Sequence, residues 1–133
     1  MKIMGIDYGD ARTGVAISDL LCTLVGSATV VPSRNTEKAI ADIVRLAQEN
    51  QVGEIVVGLP KNMDGTEGSR ANKSRRFAQR LANTAGVPVV MWDERRTTVS
   101  AAAILADNDT FGAKRKERLD SVSAAVILES FLN

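Results

Sequence analysis

The chain has 133 residues, 44% hydrophobic and 25% charged, with a net charge of +1; that balance suits one soluble domain, residues 1–133, and excludes disorder and collagen-like repeats. It contains no histidine and a single cysteine, Cys22, which excludes His-based triads and general bases, zinc fingers and any intrachain disulfide. Enzyme chemistry must then rest on carboxylates, Lys, Arg, Tyr or a bound metal. The lone thiol fits a reducing cytoplasmic setting, and no apolar run reaches the roughly 18 residues of a membrane span.

Lys2–Tyr8 is apolar with strand character and ends at the turn signal Gly9-Asp10. Arg12–Ser18 reads as a second strand, close enough to the first for an antiparallel hairpin. A third strand lies within Leu21–Val31 and stops at Pro32. Thr36–Asn50 is an amphipathic helix: Ala39, Ile40, Ile43, Val44 and Ala47 recur at i, i+3, i+4, i+7. Asn35 or Thr36 caps its start, and Gly53 lies just past its end. Glu54–Leu59 is a short apolar run, as in a strand buried on both faces.

A long loop, Pro60–Gly68, precedes a helix that Ser69 or Thr66 caps and that runs to about Ala85, with Gly86 ending it. Val87–Trp92 is the fifth strand, and Pro88 near its start points to a sheet edge. Thr97 or Thr98 caps a third helix reaching about Asp107. A polar, basic loop covers Asn108–Lys116, and the last helix runs from about Glu117 to Phe131. The antiparallel front and alternating back predict an α/β fold: a mixed five-stranded sheet with helices on both faces.

Residues 1–60 carry five Lys/Arg against seven Asp/Glu, whereas residues 61–133 carry twelve against nine. The basic groups of the second half cluster at 70–80, at Arg95-Arg96 and at 114–118. Each cluster alone reads as a solvated helix face; three together raise the prospect of a polyanionic partner, nucleic acid first.

Three carboxylates stand out. Asp7 closes an apolar strand, where a carboxylate needs a partner or a cation. Asp93-Glu94 follows the fifth strand, and ligands in open α/β sheets bind at such strand ends. Adjacent residues point to opposite faces, so one of these two at most joins Asp7. Asp120 sits in the first turn of the last helix, on the stripe of Ala124, Ile127, Leu128 and Phe131. Each has a plain structural reading: turn amides for Asp7, an ion pair with Arg95 or Arg96 for Asp93-Glu94, the helix dipole for Asp120. As a set without His, they suggest a hard cation, Mg²⁺ or Mn²⁺. Lys61 and Asn62, in the loop after a buried strand, are candidates to contact phosphate; the Gly-Lys-Ser/Thr ending of a P-loop is absent.

Four blocks in order resemble the YqgF family, whose members are named as Holliday-junction resolvases (RuvX) and as nucleases of pre-16S ribosomal RNA. They are Gly5-Ile-Asp-Tyr-Gly9 with Arg12-Thr-Gly-Val-Ala16 and Ser18-Asp19; Val57-Gly-Leu-Pro60 with Asn62-Met-Asp-Gly-Thr-Glu67; Asp93-Glu-Arg95 with Thr97-Thr98; and Asp120-Ser-Val122 with Ala124-Ala125. The resemblance spans nearly the whole chain. It implies an RNase H-like fold in which Asp7, Glu94 and Asp120 are the catalytic residues and hold two divalent ions, Mg²⁺ or Mn²⁺. Resolvases carry a fourth acid three residues after the last-helix Asp; here that position is Ser123, which implies a second ion held less firmly.

The leading functional expectation is a metal-dependent endonuclease on structured nucleic acid, either a ribosomal RNA precursor or branched DNA. Arg12, Lys61, Asn62, Arg95 and Arg96 are its expected substrate-binding residues. The alternative is a non-catalytic RNA- or ribosome-associated binding module, which would bind nucleic acid without metal-dependent cleavage. No membrane partner is expected, and the assembly is a monomer or a homodimer; a two-fold junction calls for a two-fold dimer.

Overall fold

The computed structural model describes residues 1–96 and 113–133, and of Arg96 and residues 113–120 only the backbone. The chain order is β1 (Lys2–Asp7), β2 (Arg12–Ser18), β3 (Val25–Pro32), α1 (Thr36–Glu49), β4 (Val52–Leu59), α2 (Ser69–Ala85), β5 (Val89–Asp93), a single 3₁₀ turn (Glu94–Arg96) and α3 (Ala113–Leu132). One sheet holds all five strands in the order β3-β2-β1-β4-β5. The first three pair antiparallel, while β4 and β5 run parallel to β1. This is the mixed sheet that the element order predicts, and β5 is an edge strand, as Pro88 suggests.

Alternation along the strands sorts side chains between two helical layers. Met4, Ile6, Ile55 and Val57 face the larger core with Ile43 of α1 and Phe77 and Leu81 of α2. On the opposite face Ala16 packs with Ala124 and Leu128 of α3, joined by Ile3 and Val25. α1 follows its 3.6-residue pattern: Ala39, Ile40, Ile43 and Ala47 are buried, and the Asn35 side chain accepts from the Lys38 amide at 3.1 Å.

Several boundaries differ from the sequence reading, β4 starting at Val52 and β5 at Val89 among them. α1 ends at Glu49 with Asn50 as its C-cap, Gln51 after it turns the chain with a positive φ of 55°, and Gly53 lies inside β4 rather than in the turn. Neither Ser69 nor Thr66 caps α2; its N-cap is Gly68, with no side-chain hydrogen bond, because Thr66 is drawn into the preceding turn by Asp64. β5 includes Asp93. α3 begins at Ala113 rather than near Glu117: Ala-Lys-Arg-Lys-Glu consists of strong helix formers that carry no apolar stripe to mark the start. The helix expected from Thr97 or Thr98 to Asp107 lies outside the described residues.

The β1–β2 hairpin is fixed by its own polar groups. The fully buried Thr13 hydroxyl donates to the Gly9 carbonyl and accepts from the Gly9 amide, both at 3.4 Å. Ser33 donates to the same carbonyl at 2.5 Å. Tyr8 stacks on Phe77 with ring centroids 4.4 Å apart, which ties the end of β1 to α2. On the other face the Trp92 indole N–H donates to the Ser130 hydroxyl at 3.1 Å, and its ring meets Phe131 edge-on. β5 and α3 are thereby joined.

Gly5 sets how closely α3 approaches β1. A Cβ there would lie 2.7 Å from Leu128 Cβ and 3.1 Å from the Ala124 carbonyl oxygen. Even Gly5→Ala must push α3 outward, and overpacking of this kind costs about 1–3 kcal/mol. A fall of that size is expected in urea denaturation of the variant; unchanged stability would mean the helix has slack at this contact.

Candidate metal and nucleic-acid site

Three parallel strand ends define one edge of the sheet. β1 closes with Asp7, β4 with Leu59, and β5 with Asp93, directly before Glu94. In the β4–β5 register Gly58 pairs with Trp92 and Leu59 with Asp93. Alternation then puts Trp92 and Glu94 on the α3 face and Asp93 on the other. Asp7, two residues after Gly5, shares the α3 face.

Across that face the Asp7 and Glu94 carboxyls come within hydrogen-bonding reach of each other. β4 separates their strands, and its residue beneath the meeting point is Gly58. A Cβ on Gly58 would sit 3.0 Å from both Cγ and Oε1 of Glu94, and 2.5 Å from Ile127 Cδ1. The missing side chain is therefore the space through which Glu94 reaches Asp7. A glycine inside a buried strand is a signal of close approach, and Gly58 is the sequence feature that marks this site.

Burial pushes the Glu94 carboxyl above its ordinary pKa, and the charge of Asp93 adds to the rise; the Asp7 hydrogen bond and the Arg70 charge oppose it. Among the described residues no three His, Cys, Asp or Glu side chains converge; these two carboxylates do. The donor set is hard oxygen of like charge with no imidazole or thiolate, which fits Mg²⁺ or Mn²⁺. Asp120 lies on α3 one turn before Ala124, the turn that rests on Gly5; its side chain is outside the described residues.

Asp93 does different work. Arg95 folds back on it, donating from Nη2 to Oδ2 at 2.7 Å, from Nε to both oxygens and from its backbone N–H to Oδ1 at 2.9 Å. These bonds hold the Asp93 carboxyl down to about 2. Arg95 also reaches the Met63 carbonyl at 3.5 Å and lies against Gly65. It thereby links the end of β5 to the loop after β4.

That loop is a small hairpin. The backbones of Lys61 and Glu67 form an antiparallel β-bridge, the Asn62 amide donates to the Thr66 carbonyl at 2.8 Å, and Gly65 takes a φ of 89°. The Asn62 side chain donates to the Thr66 hydroxyl, and Glu67 accepts two bonds from Arg75 of α2 at 2.6 and 2.8 Å. Of the expected substrate-binding residues, Lys61 lines a cavity of about 340 Å³ with Pro60, Asn62, Gly68, Ser69 and Arg70. Arg12 opens β2 on the far side of Asp7. Arg95 is held by Asp93, and the Arg96 side chain lies outside the described residues.

A family model described as "RuvX: Holliday junction resolvase" matches residues 1–133. The chain is 44% identical over 133 residues to a protein of Halothermothrix orenii named "Putative pre-16S rRNA nuclease", covering all of this chain and 95% of that one. A protein of the same name from Thermoanaerobacter pseudethanolicus is 42% identical over 134 residues, covering all of this chain and 96% of its relative. Among solved structures, RuvC of T. thermophilus in complex with a Holliday-junction substrate superposes with a TM-score of 0.66 at 12% identity, over 98% of this chain and 94% of that one. The fold is RNase H-like, as the four sequence blocks imply.

Two titrations follow from this geometry. Glu94 has a folded pKa above its unfolded one, so its contribution favours folding below the ordinary carboxylate range and is lost as pH rises through the folded value. Metal-free Glu94→Gln is therefore expected to match the parent protein in stability at about pH 4 and to exceed it at about pH 7. Denaturant melts at the two pH values check this; a variant less stable at both would mean that the carboxylate is structural. Asp93 has the opposite sign. Its depressed pKa stabilises above the unfolded value, and that stabilisation is lost as pH falls toward about 2. Carboxyl NMR titration should find the Asp93 resonance moving up to the ordinary Asp range in Arg95→Ala.

Proposed function

The chain belongs to the RuvX Holliday-junction-resolvase family, and from that premise and the Asp7–Glu94 pair we propose that it is a divalent-metal-dependent endonuclease. Its reaction is hydrolysis of a phosphodiester in structured nucleic acid. The proposed substrates are the 5′ end of a pre-16S ribosomal RNA, following the name that its relatives carry, and a four-way DNA junction, following the family description. One observation carries the reading: two carboxylates from separate strand ends meet at the edge of the sheet, over a glycine, where a bound cation would offset their like charge.

Asp7 and Glu94 would hold the cation, Mg²⁺ or Mn²⁺, with Asp120 from the first half of α3. A cation so bound supplies an activated water and stabilises the leaving oxygen. The chain's own groups do the rest. Burial makes Glu94 reluctant to ionise alone, so it favours a counter-charge. Lys61, in the loop after β4, and Arg12, at the start of β2, orient backbone phosphates. Asp93, taken up by Arg95, keeps the Lys61 hairpin in place without joining the carboxylate pair.

Asp7→Asn and Glu94→Gln are each expected to lower cleavage by about two orders of magnitude or more while leaving the fold intact. Asp93→Asn should have a modest effect. The measurement is cleavage of a purified four-way junction and of a precursor rRNA fragment, side by side, with Mg²⁺, with Mn²⁺ and with chelator. Cleavage that persists in chelator, or in Glu94→Gln, would remove the metal-dependent reading; tight binding with no cleavage under any condition would favour a binding module.

A further inference from the structure

Two cavities lie at adjacent strand ends, and one side chain lines both. The first, about 250 Å³, follows β1 and is lined by Tyr8, Gly9, Asp10, Arg70, Lys73 and Ser74. The second, about 340 Å³, follows β4 and includes Lys61 and Arg70. Between them, on the first turn of α2, stands Arg70, close enough for its charge to act on Glu94.

The cations near this edge are not equivalent. Lys73 pairs with Asp10 at 3.2 Å. Arg75 is held twice by Glu67. Arg95 is taken up by Asp93. Lys61 is balanced in part by Glu67 and Asp93, on which its charge acts. Arg70 is exposed, and among the described residues no ion pair engages it. An exposed guanidinium with several donors and no salt bridge among the described residues, placed between two cavities beside a carboxylate pair, suits the oxygens of a phosphate chain.

Building on the nuclease reading, we propose that Arg70 is a further substrate-positioning residue, which grips backbone phosphates of the nucleic acid on either side of the Asp7–Glu94 pair. The strand then runs along the sheet edge from the cavity after β1 to the cavity after β4, past the carboxylates. The guanidinium fork bridges neighbouring phosphates, and the cavities accept the sugar-phosphate backbone rather than bases, so the contact is indifferent to sequence.

The test separates binding from cleavage. Anisotropy of a fluorescein-labelled four-way junction and of a labelled precursor rRNA fragment is measured in chelator across a salt series, with the intact chain. Arg70→Gln should weaken binding about tenfold and reduce the slope of log affinity against log salt by about one. Arg70→Lys should recover part of the loss. Arg80→Gln, on the same helix about 15 Å further along and paired loosely with Glu37, should bind as the parent does. In Mg²⁺, Arg70→Gln should raise KM more than it lowers kcat. An unchanged affinity and salt slope in Arg70→Gln, with parental cleavage intact, overturns the inference and leaves the nuclease reading standing. Parental binding without cleavage overturns the nuclease reading, while the phosphate contact is still read from the anisotropy. An equal loss in Arg80→Gln overturns the inference too, by making the effect one of net charge.

Discussion

Everything at the strand-end edge depends on two carboxylates being brought together in a half-buried place. Like charges at such a distance repel, and burial strengthens the repulsion by removing water. The fold supplies the approach by leaving side chains out. At Gly58 the space above β4 is open, so Glu94 can lean across toward Asp7. At Gly5 the sheet is bare, so α3 can settle on β1 and bring the turn before Ala124 alongside. Two glycines on neighbouring strands thus set the depth and the width of the site. The energy that holds the carboxylates there comes from elsewhere, from the apolar layers on both sides of the sheet.

Arginine and lysine divide into two groups in this protein. One group builds. Arg75 fastens the hairpin after β4 to α2 through Glu67, and Arg95 fastens its tip to β5 through Asp93. These are multiple charge-assisted bonds in fixed geometry, which resist the entropy that weakens a single surface pair. The other group faces the cavities. Lys61 and Arg70 line the space beside the carboxylates without a direct salt bridge of their own among the described residues. The first group gives the second its position: Lys61 is where it is because its hairpin is pinned at both ends. Charge composition alone makes no distinction between them.

Polar satisfaction in the β1–β2 hairpin has the same logic. The Gly9 carbonyl takes hydroxyl donors from Thr13 and Ser33. Asp19 accepts from the Thr23 hydroxyl and from the amides of Thr23 and Leu24, and so closes the turn into β3. Among the described residues no buried side-chain polar atom lacks a partner. Residues that stand out as a motif in the sequence, such as Thr13 and Ser18-Asp19, are therefore accounted for by hairpin geometry. Ser18 accepts from the Ile3 amide at 2.8 Å. Their task is to hold β1 straight up to Asp7.

Local chemistry determined a good deal by itself. The absence of histidine and of a second cysteine confined any catalysis to oxygen ligands and cations. The 3.6-residue stripe of α1 and the apolar runs of β1, β4 and β5 were legible because each element buries a face that its own period defines. Adjacent side chains alternate on a strand, so the separation of Asp93 from Glu94 was already implied. Which of the two meets Asp7 was a matter of register, and register belongs to the pairing of β4 with β5. The start of α3 was missed because its first turns carry good helix formers and no apolar pattern. The start of α2 has no side-chain cap because Thr66 is held by Asp64 in the preceding turn. Arg70 could not be singled out from the basic residues around it. Ion pairing decides which cations are spent on the fold: Arg95 takes Asp93 two residues before it and Arg75 takes Glu67 eight before it, while Lys73 takes Asp10, far off in sequence. Only the assembled fold brings α2 beside the β1–β2 turn, so that Lys73 meets Asp10 and Arg70 is left between the two cavities.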